Sequence, residues 1–250
     1  MPVEKPRSEY RQVVALLRAA IADGEFPPGA LLPAEPVLAE RFGVTRATVN
    51  RALAMLRTEG LVRPERGRGT TVNELPIIRR ESAGRQAQGV REAEGSRGAF
   101  DAEIRGLGLV PEAVVSVAEV AAPAEVALLL GVEAGEPVLA RVREMSADGV
   151  PVQLATSYLP LGIVGGTRIA EVDTGPGGTY SRLGELGYAP VEFTETVRVR
   201  TPAEDEVVAL RMDEDQRVFA ITRVAVAEGG RVVEVNRIVA PAHQWELVFS

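Results

Sequence analysis

Cysteine is absent from this chain, and histidine occurs once, at His243. Without cysteine there are no disulfides, no thiolate metal sites and no thiol nucleophile. A single histidine excludes a histidine-rich metal centre, so neither a metal nor a cofactor is expected. No apolar run approaches the roughly 20 residues of a membrane span. The opening Met1-Pro2-Val3-Glu4-Lys5-Pro6-Arg7 lacks an apolar signal core. These absences lead to the expectation of a cytoplasmic protein with no membrane partner.

What is present is globular in character. Of 250 residues, 46% are hydrophobic and 25% charged, enough for one large or two ordinary domains. The net charge of −7 argues at first against a nucleic-acid partner. Its distribution reverses that. Residues 1–100 hold 16 Lys and Arg against 12 Asp and Glu, a balance of +4, which leaves 12 basic and 23 acidic residues, −11, for the rest. A basic arm on an acidic body is implied. Nearly all the positive charge is arginine, which suits planar recognition of phosphate and guanine.

The stretch from Leu32 to Val72 predicts two short helices around a turn at Gly43, followed by a hairpin. Ala39 is small enough for a close helix crossing, and Val49 and Ala52 face back into the pair. This spacing is that of a helix-turn-helix. Thr45 is placed to cap the second helix. The remaining face presents Arg46, Thr48, Asn50 and Arg51 near the helix start, the end that enters a major groove in such motifs. Glu59-Gly60 ends the helix. Leu61-Val62-Arg63 and Thr70-Thr71-Val72 predict the strands of a wing whose tip carries Arg66, Gly67 and Arg68, suited to phosphates or a minor groove. Upstream, an apolar stripe of Val13, Leu16, Leu17, Ala20 and Ile21 predicts a first helix from Ser8 or Glu9 to about Asp23. Glu35 and Pro36 fall in the first turn of the second helix.

With these residues in view, Tyr10 to Val72 resembles the DNA-binding domain of GntR-type bacterial transcription regulators. The resemblance rests on Leu32-Pro33-Ala34-Glu35, on Phe42-Gly43-Val44-Thr45-Arg46-Ala47-Thr48-Val49, on Glu59-Gly60-Leu61-Val62 and on Gly67-Arg68-Gly69-Thr70. It implies DNA contacts by Arg46 and Thr48 and by the glycine tip of the wing, within the set Glu35, Thr45, Arg46, Thr48, Asn50, Arg51, Arg66, Gly67 and Arg68. Two positions depart from the family's habit. Pro36 stands where many members carry a DNA-contacting arginine, and Asn50 where arginine is common. Asparagine reads adenine edges, so a different operator is implied.

From residue 74 to 97 the composition turns polar and glycine-bearing, which predicts a linker between a first domain, 1–73, and a second, 98–250. In the second, strands are predicted at 114–120, 137–146, 150–159, 192–200, 218–228 and 231–239, with helices at 123–130, near 179–187 and at 201–210. Ala147-Asp148-Gly149 is a hairpin turn. Antiparallel hairpins with intervening helices make an α+β domain.

This order is similar to the UTRA effector-binding domain of the HutC-type branch of the same family, whose fold is like chorismate lyase. The similarity rests on Arg141-Val142-Arg143, Asp148-Gly149-Val150-Pro151, Tyr158-Leu159-Pro160 and Val233-Glu234-Val235-Asn236. It implies an effector site of Arg141, Arg143, Gln153, Thr179, Ser181 and Glu234. In sugar-phosphate-sensing relatives the two arginines meet the anion, a hydroxyl residue matching Thr179 assists, and a glutamate matching Glu234 reads ligand hydroxyls. An acidic position of those relatives is Gln153 here. Read from the residues alone, arginines at i and i+2 share one strand face. They either form a bidentate anion site in a pocket or lie on a solvated face answered by Glu144 or Glu234. His243 is expected to be a surface or packing residue, and Trp245 core or dimer interface.

The expected function is a ligand-responsive repressor. A homodimer would bind a pseudo-palindromic double-stranded operator and be released by a small anionic effector, phosphorylated or carboxylated. The rival is an architectural or plasmid-maintenance DNA-binding dimer without an effector. An enzyme is not expected, since no paired carboxylates, cysteine–histidine or serine–histidine arrangement is found, and no catalytic residue is assigned. Length sets aside the aminotransferase-like regulators, and the single histidine the metal-dependent branch.

Overall fold

The structure is a computed structural model and describes residues 8–65, 67–81 and 98–249. The chain forms two compact units that divide between Pro76 and Ile77.

The first unit is built by local signals. Helix α1 (Glu9–Ala22) buries Val13, Val14 and Leu17. Helix α2 (Glu35–Phe42) starts with a proline in its first turn and ends on Gly43, whose φ of 64° is the left-handed region glycine adopts without penalty. The Val44 N–H then reaches back to the Ala39 carbonyl at 3.0 Å and closes the turn. Helix α3 (Arg46–Thr58) is capped by Thr45, whose hydroxyl accepts from the Thr48 N–H at 3.2 Å. Its buried face of Val49, Ala52, Leu53 and Leu56 packs with Leu17, Leu38 and Ala39 in one core. Each fully buried Leu or Val contributes about 1.5–3 kcal/mol. Strands β1 (Val62–Glu65) and β2 (Gly69–Val72) pair antiparallel as the wing. A bridge from Leu31 to Thr71 adds a third edge.

The second unit begins with β3 (Ile78–Glu81), then α4 (Ala99–Gly106), β4 (Pro111–Ala121), α5 (Ala124–Leu130), β5 (Pro137–Ala147) and β6 (Val150–Pro160). There follow α6 (Leu161–Val164), a 3-10 turn (Arg168–Ala170), α7 (Gly178–Glu185), β7 (Pro190–Arg200), α8 (Glu204–Leu210), β8 (Val218–Ala227), β9 (Val232–Pro241) and β10 (Trp245–Val248). Six strands form one antiparallel sheet in the order β4-β5-β6-β9-β8-β7. Asp148 (φ 48°) and Gly149 (φ 75°) make the β5–β6 turn, as their sequence predicts.

One sheet face is covered by α5, through Val126, Ala127 and Leu130 against Val138 and Val235, and by α8, through Leu210. The other face is partly covered by Ile163, Val164, Ile169 and Leu183 from α6, the 3-10 turn and α7. The part left open on that second face is where the polar residues stand.

The stretch read as a linker from residue 74 differs in the structure. Residues 78–81 are a strand of the second unit, paired parallel with β10 at the far end of the chain. Ile78 is fully buried, and the Arg80 side chain is buried because it meets Glu195 of β7. Arginines at 79 and 80 suggested solvent, but a carboxylate 115 positions away answers one of them. The remainder of that stretch, 82–97, lies outside the described residues. Among the described residues no helix is long and apolar enough to cross a membrane.

Candidate functional site

The first unit exposes one face of α3. Arg46, Asn50 and Arg51 are exposed, Thr48 is half-buried, and Glu35 and Thr45 are exposed beside them. None of the four predicted helix residues is buried, whereas Val49, Ala52 and Leu56 are. Arg51 is also engaged within the unit, its guanidinium carbon standing 4.0 Å over the Tyr10 ring of α1. That cation–π contact orients its guanidinium over the ring. In the wing, Gly67 and Arg68 are exposed, and Arg68 forms an ion pair with Glu65 at 2.9 Å while remaining 74% exposed. Such an exposed pair is worth a few tenths of a kcal/mol and yields to a phosphate. Arg66 lies outside the described residues.

The second unit holds a cavity of about 680 Å³ over the open part of the sheet. Its floor follows from strand register. Pairing places Val117, Arg141, Ser157, Asn236, Arg223 and Glu195 in one row across β4-β5-β6-β9-β8-β7. All but the first are polar. Two residues along, Arg143 pairs with Ala155, and two further Met145 pairs with Gln153. Because side chains alternate, Arg141, Arg143 and Met145 share the cavity face. The solvated-face alternative for the two arginines fails here, since Arg141 is 4% exposed and both line the cavity.

Three of the four arginines that line the cavity, Arg141, Arg143 and Arg223, are held differently. Arg141 donates Nη1 to the Ile169 and Glu171 carbonyls and Nη2 to the Val172 carbonyl at 3.1 Å. It therefore clamps the segment after the 3-10 turn, a structural duty its sequence position does not show. Arg143 donates to Ser157 Oγ and, at 3.4 Å, to Asn236 Oδ1, both neutral. Arg223 lies over the Tyr180 ring at 5.5 Å and 3.9 Å from Glu195. Among the described residues the buried Nε–H of all three has no hydrogen-bond partner. Gln153 donates its amide to Met145 Sδ at 3.0 Å, and its buried Oε1 has no partner either. Buried orphan donors of this kind cost about 1–3 kcal/mol each.

Burial, and then the charge of Arg143, hold the Arg141 guanidinium down at about 10. Burial also lowers Arg143, against the pull of Glu234. For Arg223 burial lowers the pKa, but Tyr180, Glu234 and Glu195 outweigh it and the net direction is up. Tyr180 donates its hydroxyl to Glu234 Oε2, and burial pushes its own pKa up. An arginine keeps its charge near neutral pH, and among the described residues the hydrogen-bond acceptors of Arg141 and Arg143 are all neutral.

Of the predicted effector residues, Arg141, Arg143, Gln153, Thr179 and Glu234 line the cavity. Ser181 does not. It is 3% exposed and sits on the covered side of α7, while Tyr180 takes the cavity position. Successive helix residues diverge by about 100°, so a short motif on α7 does not put all its polar groups on one side. Asp173, Tyr180, Arg223 and Asn236 also line the cavity and were not singled out. Arg223 had a signal in principle: it stands at an inward position of an alternating strand.

Comparison with known proteins agrees with both units. The sequence model described as bacterial regulatory proteins, gntR family, matches residues 9–72, and that of the UTRA domain matches residues 108–245. The chain is 32% identical over 232 residues to the uncharacterized HTH-type transcriptional regulator SCO4628 of Streptomyces coelicolor, spanning 90% of this chain and 86% of that protein. It is 31% identical over 233 residues to the HTH-type transcriptional repressor PhnF of Mycolicibacterium smegmatis, spanning 93% and 88%. The crystal structure of PhnF from Mycobacterium smegmatis matches with a TM-score of 0.60 at 27% identity, covering 95% of this chain and 98% of that one.

Proposed function

The chain belongs to the gntR family of bacterial regulatory proteins and carries a UTRA domain, and from this we propose that it is a cytoplasmic repressor released from its operator by a small anionic effector. Two copies of the chain form the working dimer. Each lays the start of α3 in a major groove, and the two half-sites make a pseudo-palindrome. Arg46, Thr48, Asn50 and Arg51 meet base edges and nearby phosphates, with Thr45 and Glu35 at the groove edge. The wing tip, with Arg66, Gly67 and Arg68, follows the backbone.

The effector enters the cavity of the second unit. A phosphate or carboxylate there accepts from the free Nε–H groups of Arg141 and Arg143, and the Thr179 hydroxyl assists. Glu234 and Gln153 take hydroxyl or amide groups of the ligand. The single observation carrying this reading is the set of buried guanidinium Nε–H donors that have no acceptor among the described residues, around a cavity of ligand size. An architectural dimer without an effector would leave those donors desolvated for no return. Release follows if the effector binds the low-affinity arrangement of the dimer better than the operator-bound one.

The test has two parts. A gel shift on the chain's own promoter region, run over a series of salt concentrations, should give a specific band that weakens with salt. A thermal-shift screen of sugar phosphates and organic carboxylates should find one class that stabilises the protein. Absence of any specific band at moderate salt rejects the regulator reading, and a band with no stabilising anion rejects the effector.

A further inference from the structure

Arg223 and Glu195 have no part in the proposed reading so far, yet they connect two features of the second unit. Arg223 lines the cavity with an unpartnered Nε–H. On its far side its Nη1 stands 3.9 Å from Glu195 Oε1. Glu195 in turn receives both terminal nitrogens of Arg80, one of them at 2.8 Å. One carboxylate, 11% exposed, is therefore shared by two cations, the nearer of which is fixed to β3. β3 begins at Ile78, two positions after Pro76, the last residue of the DNA-binding unit.

Resting on the effector reading above, we infer that Arg223 is a further effector-contacting residue and that Glu195 passes its displacement to Arg80 and β3. The reasoning is electrostatic. An anion in the cavity offers Arg223 a second acceptor and draws its guanidinium away from Glu195. A buried carboxylate from which one cation is drawn away interacts more strongly with the other, and at low dielectric that redistribution is worth more than at the surface. The Arg80–Glu195 pair tightens, and β3, which also pairs with β10 and packs against α4, is held more firmly. Since β3 is the first strand after the DNA-binding unit, its firmness sets where the tether of that unit starts to move. An empty cavity leaves Glu195 divided and β3 easier to open.

The experiment uses the full-length protein and inorganic phosphate as the probe. Thermal unfolding and amide exchange at residues 78–81 are measured with and without phosphate in the wild type, in Arg223→Gln and in the charge-neutral double variant Arg80→Gln/Glu195→Gln. Phosphate should stabilise the wild type and slow exchange at 78–81 about threefold or more. Arg223→Gln should lose much of the stabilisation and all of the slowing. The double variant should keep the stabilisation and lose the slowing. Arg223→Met, which removes the charge at similar side-chain length, carries the same expectation as Arg223→Gln should that protein not fold. Stabilised wild type with unchanged or faster exchange at β3, or a double variant that still slows, overturns the coupling while the anion site stands. Failure of phosphate to stabilise the wild type overturns the anion site itself, and the coupling with it.

Discussion

His243, the chain's one histidine, gives a prediction with a definite sign. It lies in the turn between β9 and β10, where its Nδ1 is buried without a hydrogen-bond partner, and burial lowers its pKa from 6.5 to about 4. The unfolded chain therefore binds a proton at this ring below pH 6.5, while the folded chain refuses it until about pH 4. Unfolding takes up a proton in that window, so stability is full above it and falls as pH drops through it. The whole shift is worth at most about 3.5 kcal/mol. Because there is one imidazole, its ring resonance can be followed without assignment and read directly as a titration curve. His243→Gln should remove the corresponding part of the acid sensitivity in urea unfolding, leaving the contribution of the carboxylates. A ring that titrates near 6.5, or a wild-type-minus-variant difference that does not change with pH, would refute the reasoning.

Three further outcomes follow from particular contacts. Thr45→Ala removes the acceptor of the Thr48 N–H and should cost about 1 kcal/mol in urea unfolding of the first unit, whereas Thr45→Asn should restore most of it. Trp245→Phe deletes the Nε1–H that donates 2.7 Å to the Val152 carbonyl in a buried setting; calorimetry should show a loss of about 1–3 kcal/mol. Arg46→Ala, at the exposed start of α3, should leave stability within about 0.5 kcal/mol. In a gel shift it should weaken operator binding, and a salt slope reduced by about 1 would mark a phosphate contact, an unchanged slope with relaxed specificity a base contact.

The parts of the fold that were legible in the sequence are those fixed by neighbours along the chain. Gly43, Thr45 and Gly60 mark where α2 and α3 stop and start because each satisfies backbone groups within four residues of itself. Asp148-Gly149 was legible as the β5–β6 turn from its tolerance of positive φ, although the hydrogen bonds of Asp148 go to Val110 and the ladder shifts register between Met145 and Ser146. The pair Arg141 and Arg143 was legible as one face of a strand, but not the three carbonyls that Arg141 holds, since the segment at 169–172 meets it only after the sheet is covered. β3 was missed because its charge is neutralised by a residue from β7, and its hydrogen bonds go to the last strand. Arg223 was missed because its place in the cavity depends on register carried across four strands. Ser181 was placed in the site by the resemblance, whereas on α7 it is buried and does not line the cavity.

The central claim is that an anion among the cavity arginines controls DNA binding. It is tested most directly by titrating a labelled operator duplex with the protein, with and without the anion that stabilises it best, for wild type and Arg143→Met. The account predicts that the anion weakens wild-type operator affinity about fivefold or more and leaves Arg143→Met unaffected, with operator affinity in the absence of the anion equal in the two proteins. Equal release in the variant, or no release in the wild type at saturating anion, would contradict it.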